Sequence, residues 1–573
     1  MALIIYYDGD CPLCERYTRM LRLAEAQTVE LVDLRSAPDR RSELEGEGFD
    51  LDQGMVAEQD GRRYGGSDAV NLLALLSTPS GAFNRLNRTL LGSPLAARVI
   101  YPLLRMGRWL LLFLLGKPLM AGTGTSARQT IFTICFALFS IFHFGNYSLS
   151  YGRSPGWDLL LVLGAAIFAF VRPQSTRVLF LLVLVSSISA WVQAPVNSNH
   201  TITRNFLLLG YWLSFGLAMI GNRPANAIFT GFGLAGQGVL LVMYFFGIFH
   251  KINTDFLNPI TSCATTLWRL MPAPLSTLQG PAIDAATIYG TFIVEGSIAL
   301  ALLVPRWRHY GIAAGMAFHL LLAMSSYAMY ISFTMLSIAM HTLFLSEGAA
   351  RGVMESKPMQ ALRSRMRHPL YIVAALAVLM AIAALAFRGF YGLATMFALP
   401  LVLPYCLIIL LYGRSDEKLM ANRRPGVLAV GAITFAACFA NGAMPYLGLK
   451  TAQSLNMYAN LRLEQGASNH LVLRGAHRPF SYLDRVAMIE DGAGDAELER
   501  SKRLGFGVVY YDVLAFLADN PGKRLSFTLD GQRYDAVSAV DMRAEIDATL
   551  HPAWFRKWFH FELVQLERPE KCY

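Results

Sequence analysis

The sequence predicts a multi-pass all-α membrane bundle of about eleven helices, with an N-terminal α/β domain before it and a β-rich soluble domain after it. Three observations predict this. Only 16% of the 573 residues are charged and 54% are hydrophobic, against about 25% charged in a soluble chain. Mean hydropathy is +0.39, and the apolar runs are confined to the middle of the chain. Near the N-terminus, two cysteines stand two residues apart between an apolar run and a helical pattern. The boundaries fall at 1–117, 118–445 and 446–573.

In the first domain, residues 3–7 (Leu-Ile-Ile-Tyr-Tyr) read as a buried strand, and residues 15–23 have helical spacing. Cys11 and Cys14 therefore sit at the mouth of a helix, where the helix dipole favours a thiolate at the first cysteine and the second can resolve a mixed disulfide. A zinc site needs two further ligands. Residues 1–117 hold no other cysteine and no histidine, which favours dithiol redox chemistry and leaves no metal expected. Further strands are expected at 29–34 and 55–59, the second ending in an Asp60-Gly61 turn. Helices are expected at 39–47 and 68–76, the latter capped by Ser67. Strands alternating with helices around a Cys-x-x-Cys read as a thioredoxin-like unit.

The run Tyr7-Asp8-Gly9-Asp10-Cys11-Pro12-Leu13-Cys14, with Asp60-Gly61 and Gly65-Gly66-Ser67-Asp68-Ala69 downstream, resembles the DCC family of thiol-disulfide oxidoreductases. The resemblance implies a redox-active disulfide, with Cys11 the attacking thiol, Cys14 the resolving one, and Asp8 and Asp10 flanking acids. Unlike ordinary thioredoxins, the chain has no proline just before the strand at Met55, so substrate docking must differ. Residues 100–115, apolar with basic flanks, read as an interfacial helix that lays this domain on the membrane.

Apolar segments of about the spanning length run at 128–146, 157–171, 177–193, 204–221, 228–249, 285–304, 309–325, 327–346, 369–387, 391–412 and 425–443. Loop charge alternates between them. One set carries Arg172, Arg177, Arg223, Arg306, Arg308, Arg351, Lys357, Arg363, Arg365, Arg367, Arg414, Lys418, Arg423 and Arg424. The other carries Arg153, Arg204, Lys251, Arg269 and Arg388. The richer set faces the cytoplasm. This predicts an integral membrane protein of bacterial inner-membrane type, with a cytoplasmic N-terminus and a periplasmic C-terminus. The formal charge of +10 is thus loop arginine beside a lipid bilayer. No basic stripe with interleaved aromatics points to nucleic acid.

Ionisable groups at membrane depth mark function by default. His143, His250, Lys251, Glu295 and His319 fall on the outer half, and His341 falls near the inner end, apart from them. The block Met243-Tyr244-Phe245-Phe246-Gly247-Ile248-Phe249-His250-Lys251-Ile252-Asn253-Thr254-Asp255, with Glu295, Phe318-His319 and His341-Thr342-Leu343-Phe344-Leu345, resembles the HTTM domain related to vitamin K-dependent γ-carboxylase. Pro445-Tyr446-Leu447-Gly448, Met457-Tyr458-Ala459-Asn460-Leu461-Arg462 and Asn469-His470 extend the resemblance. It implies Lys251 as a base acting on a quinone or vitamin K hydroquinone; the other ionisable groups at that depth, His143, His250, Glu295 and His319, read as supporting groups, and the neighbouring aromatics Tyr244, Phe245 and Phe246 as flanking the ring.

After residue 445, short strands are expected at 471–474, 486–489, 507–511, 524–529 and 534–537, with an Asp530-Gly531 hairpin turn and helices at 512–519 and 541–550. Cys572 has no partner that the sequence identifies. The leading expectation is a membrane-bound thiol-disulfide oxidoreductase-like protein coupled to a quinone-type membrane domain. A hydroquinone-driven, carboxylase-like modification of a secreted peptide is the first alternative. A non-enzymatic peptide export or maturation partner with a redox-sensing dithiol is the second, and no internal repeat supports it.

Overall fold

The computed structural model describes residues 2–21, 28–78, 80–120, 126–145, 156–194, 198–325, 330–387, 391–415, 423–474, 478–565 and 572. The chain divides into two compact units. The first comprises residues 1–125 together with 211–231, and the second comprises 126–210 together with 232–573.

The first unit opens with β1 (Ala2–Tyr7), α1 (Pro12–Met20), β2 (Thr28–Asp33), α2 (Pro38–Gly46), β3 (Val56–Gln59), β4 (Arg62–Gly65), α3 (Ser67–Leu76), α4 (Ala82–Leu91) and α5 (Pro94–Leu115). The sheet order is β2-β1-β3-β4. β1 pairs with β2 in parallel and with β3 antiparallel. The β3–β4 hairpin turns on Asp60 and Gly61 with φ of 51° and 78°, the left-handed pair that a two-residue turn needs. Pro12 and Pro38 open their helices, where the missing N–H is no loss. The expected Ser67 cap is not seen. Gly66, at φ 60°, takes the capping position, and Ser67 is already helical. Tyr6, Leu34, Leu44, Leu51, Val56 and Met120 form one buried cluster.

The helix expected at 100–115 is the C-terminal part of α5. It turns Arg108, Trp109, Leu112 and Phe113 inward and leaves Leu95, Val99, Leu103 and Leu104 exposed. The turn around residues 221–225 closes this unit. The Trp109 indole donates to the Arg223 carbonyl at 2.7 Å, and Arg105 donates to that of Ile220 at 2.9 Å.

Helices α6 (Ala127–Gly145), α7 (Trp157–Val171), α8 (Thr176–Val192), α9 (Asn199–Ile220), α10 (Asn226–Phe249), α11 (Cys263–Arg269), α12 (Pro281–Leu303), α13 (Arg308–Ala323), α14 (Tyr330–Thr342), α15 (Glu347–Glu355), α16 (Lys357–Arg365), α17 (Pro369–Phe387), α18 (Tyr391–Tyr412) and α19 (Pro425–Leu447) follow. Every apolar segment read from the sequence overlaps one of these helices. Among the described residues, 5 helices are long and apolar enough to cross a membrane, or 6 if α16 and α17, bent by 102° at their junction, count as one span. The shorter apolar helices include α7 and α8.

The chain ends in β5 (Val486–Asp491), α20 (Ala496–Leu504), β6 (Gly507–Val509), α21 (Tyr510–Asp519), β7 (Leu525–Leu529), β8 (Gln532–Val537), α22 (Arg543–Thr549) and α23 (Ala553–Arg556). The antiparallel sheet has the order β6-β5-β7-β8, and helices alternate with its strands instead of leaving it purely β. Asp530 and Gly531 make the β7–β8 turn at φ 50° and 80°. The strand expected at 471–474 is absent. The amides of Val472 and Leu473 donate instead to Nδ1 of His470, so a side chain satisfies the backbone that a ladder would otherwise pair.

Cys263 and Cys572 form a disulfide across 309 residues of sequence, the pairing the sequence left open. Disulfides persist in oxidising compartments. Cys572→Ser is expected to lower stability by about 2–5 kcal/mol, read as an earlier thermal transition of the detergent-solubilised protein. An unchanged transition, matched by wild type under reductant, would show the bond carries no stability.

Candidate functional site

Two sites emerge, one in each unit. In the first, Cys11 is the N-cap of α1, and its Sγ accepts from the Cys14 amide at 3.3 Å. The Cys14 thiol donates to the same sulfur at 2.8 Å. These donors hold the Cys11 pKa down to about 7. The Cys14 hydrogen bond contributes most, burial opposes it, and the Cys14 amide and the Arg108 charge add to it. The same hydrogen bond, together with burial, pushes the Cys14 thiol up. The two thiols thus separate into an ionisable one and a protonated one.

The turn into α1 depends on Gly9. Its amide donates to Asp33 at 3.0 Å, and a Cβ there would lie 2.3 Å from the same carboxylate. Asp8 is buried and ion-paired twice, to Arg35 at 2.9 Å and to Arg108 at 2.6 Å. Burial raises its pKa, and the two arginines outweigh burial, so the net shift is downward. Arg108 also donates to the Asp52 carbonyl at 2.9 Å. Asp10 is half-buried and held by Lys117 at 2.8 Å. No pattern around residue 108 signals its place beside the dithiol; the contact spans 100 residues.

The second site is a cavity of about 360 Å³ whose lining includes Tyr244, Lys251, Phe256, Glu295, His319 and Tyr458. Lys251, just past α10, donates from Nζ to Glu295 Oε1 at 2.7 Å, with both side chains nearly buried. The Tyr244 hydroxyl lies 3.1 Å from His319 Nε2 and 3.0 Å from His341 Nε2. His341, expected apart, thereby joins the group through Tyr244.

One wall is the stretch after α19. Asn253 donates to the Ala459 carbonyl at 2.6 Å, Arg462 pairs with Asp255 at 2.7 Å, and Asn460 bonds the Cys263 amide at 2.9 Å and the Thr261 carbonyl at 3.0 Å. Gln453, Leu455, Tyr458 and Asn460 all have φ between 51° and 62°, a conformation costing a non-glycine residue about 1–2 kcal/mol. Strain of this kind persists where surrounding bonds over-determine the backbone. The two blocks that carried the second resemblance, around His250 and around Asn460, are therefore one interlocked piece.

The remaining expected residues sit elsewhere. His250 donates from Nε2 to the Ser454 carbonyl at 3.0 Å, so its Nδ1 accepts from Tyr446 at 2.7 Å; it does not line the cavity. Phe246 is buried against His250 and Phe439, and Phe245 is partly exposed and stacked on Phe249. Of the three aromatics expected around a ring, the lining includes Tyr244 alone. Side chains on one helix diverge by about 100° per residue, so three consecutive positions cannot share a face. His143 contacts Arg204 at 3.0 Å and the His200 ring and is not among the lining residues.

Residues 5–113 match the family model of the DCC1-like thiol-disulfide oxidoreductase. The match takes in Asp8, both cysteines and Arg108. Comparison with curated proteins and with solved structures finds no match.

Proposed function

We propose that this chain is a membrane-bound thiol-disulfide oxidoreductase in which Cys11 exchanges with a disulfide of a protein or peptide substrate. The carrying observation is the polarised pair: Cys11 at a helix N-terminus with its pKa lowered to about 7, beside a Cys14 thiol held protonated. The Cys11 thiolate attacks one sulfur of the substrate disulfide and expels the other. Cys14 then loses its proton, attacks Cys11, and releases the second substrate thiol, leaving a Cys11–Cys14 disulfide and a substrate reduced by one electron pair. The β-α-β pair followed by an antiparallel hairpin and a helix supports a thioredoxin-like reading of this domain. Cys14→Ser is expected to accumulate a mixed disulfide through Cys11, seen as a reductant-sensitive band shift on gels, and Cys11→Ser is expected to abolish it. Adduct formation that persists without Cys11 would overturn the assignment.

The cavity favours a second activity in the same chain. Its mostly apolar lining and its ion pair suit an apolar ring with polar substituents, of the quinone or vitamin K type, in keeping with the HTTM resemblance. In this reading the membrane domain crosses the bilayer about eleven times, with the dithiol on the cytoplasmic side and the Lys251 cavity near the outer face. The two sites then act in sequence within one redox pathway. Carboxylase-like modification of a secreted peptide is the alternative that the Lys251–Glu295 and His319 groups support.

A further inference from the structure

Hydrogen-bond accounting around Tyr244 fixes the direction of each proton. Nδ1 of His341 lies 2.7 Å from the Ser337 carbonyl. A carbonyl only accepts, so Nδ1 carries a hydrogen and neutral His341 presents a bare Nε2. Tyr244 therefore donates its hydroxyl proton to His341 Nε2 at 3.0 Å. The Tyr244 oxygen is left as an acceptor, and His319, at 3.1 Å, donates to it from Nε2. Neutral His319 then holds a lone pair on Nδ1. That atom is buried and has no hydrogen-bond partner among the described residues. His319 is only 4% exposed, and it lines the cavity. Glu295 Oε2 is a second acceptor in the same condition. Lys251, by contrast, is committed as a donor to Glu295 at 2.7 Å, and an ammonium has no lone pair with which to take a proton.

We infer that His319 Nδ1, and not Lys251, is the proton acceptor of this cavity, with Tyr244 and His341 as its relay, for an apolar ligand bearing an acidic hydroxyl. This rests on the cavity reading above. In the step, the ligand O–H bond breaks and an Nδ1–H bond forms on His319. His319 passes its Nε2 proton to Tyr244, and Tyr244 passes its own to His341 Nε2. The ligand becomes an oxyanion beside the Lys251 ammonium, His341 becomes the cation, and the charge balances. A phenolic or hydroquinone-type ligand meets both acceptors as a donor, whereas an oxidised ring with carbonyls alone offers them nothing.

The test uses the full-length protein in detergent and a nitrophenol with an alkyl tail, coloured only when ionised. Bound to wild type, the probe is expected to ionise at least one pH unit, or about tenfold in equilibrium constant, below its value bound to His319→Gln. Glutamine keeps a donor toward Tyr244 and removes the base. Tyr244→Phe, which cuts the relay and leaves Nδ1 in place, is expected to fall between them. Intact Cys263–Cys572 pairing on non-reducing gels reports folding for every variant. Ionisation that survives His319→Gln but is lost in Lys251→Met with Glu295→Leu would overturn this inference and return the base to lysine. Equal ionisation in wild type and both histidine-relay variants would overturn it while leaving the cavity reading intact. Absence of probe binding to wild type would overturn the cavity reading itself, and this inference with it.

Discussion

Glu295→Ala is expected to destabilise the protein by about 3–5 kcal/mol, read as a fall in the thermal transition in detergent. The carboxylate is the ion-pair partner of Lys251 at 2.7 Å, and the two side chains are 11% and 8% exposed. Lys251 also stands 5.8 Å from the centroid of the Phe256 ring, a contact too weak to replace a carboxylate. Removing the glutamate leaves an ammonium in an apolar wall. Removing both charges together, as in Lys251→Met with Glu295→Leu, is expected to restore most of the loss, because the penalty belongs to the orphaned charge and not to the missing attraction. A single variant within about 1 kcal/mol of wild type would show that water reaches the pair.

Alkylation of Cys11 is expected to titrate with a midpoint near pH 7, below that of a free cysteine, at an absolute rate set by the opening that exposes a thiol buried in this structure. A thiol with its pKa lowered to about 7 is half thiolate there, against about 3% for an unperturbed thiol. The rate should fall as pH drops through 7 and level off above it, since only the thiolate reacts. Arg108→Gln is expected to move that midpoint upward by removing a positive charge that favours the thiolate, while Asp8 keeps Arg35 as its partner at 2.9 Å. Mass-spectrometric scoring of iodoacetamide labelling at Cys11 across pH checks both. A midpoint that stays put in Arg108→Gln would assign the lowering to Cys14 and the helix terminus alone.

Short-range signals were legible. Two Asp-Gly turns announced both hairpins, and every apolar run became a helix, because hydropathy and turn chemistry act over a few residues. Arg108 beside Asp8, His341 behind Tyr244, and the pairing of Cys263 with Cys572 were not legible. Each depends on how distant segments pack, and no local pattern encodes that. Lys251, Glu295 and His319, which line the cavity, stand out in the sequence because an ionisable group in an apolar run is conspicuous. Phe245 and Phe246 do not share the cavity lining with Tyr244, because adjacency in sequence is divergence on a helix. The strand expected at 471–474 failed for a related reason: His470 offered its amides a closer acceptor than any neighbouring strand.

The Cys263–Cys572 bond makes a covalent ring of everything between its two ends: α11 through α19, the strained wall of the cavity, and the whole C-terminal sheet. A single protease cut inside that ring leaves the fragments joined until a reductant is added. During biosynthesis the ring stays open until residue 572 has been made and has reached its partner. The wall of the cavity is therefore locked in place only after every helix of the ring has been synthesised.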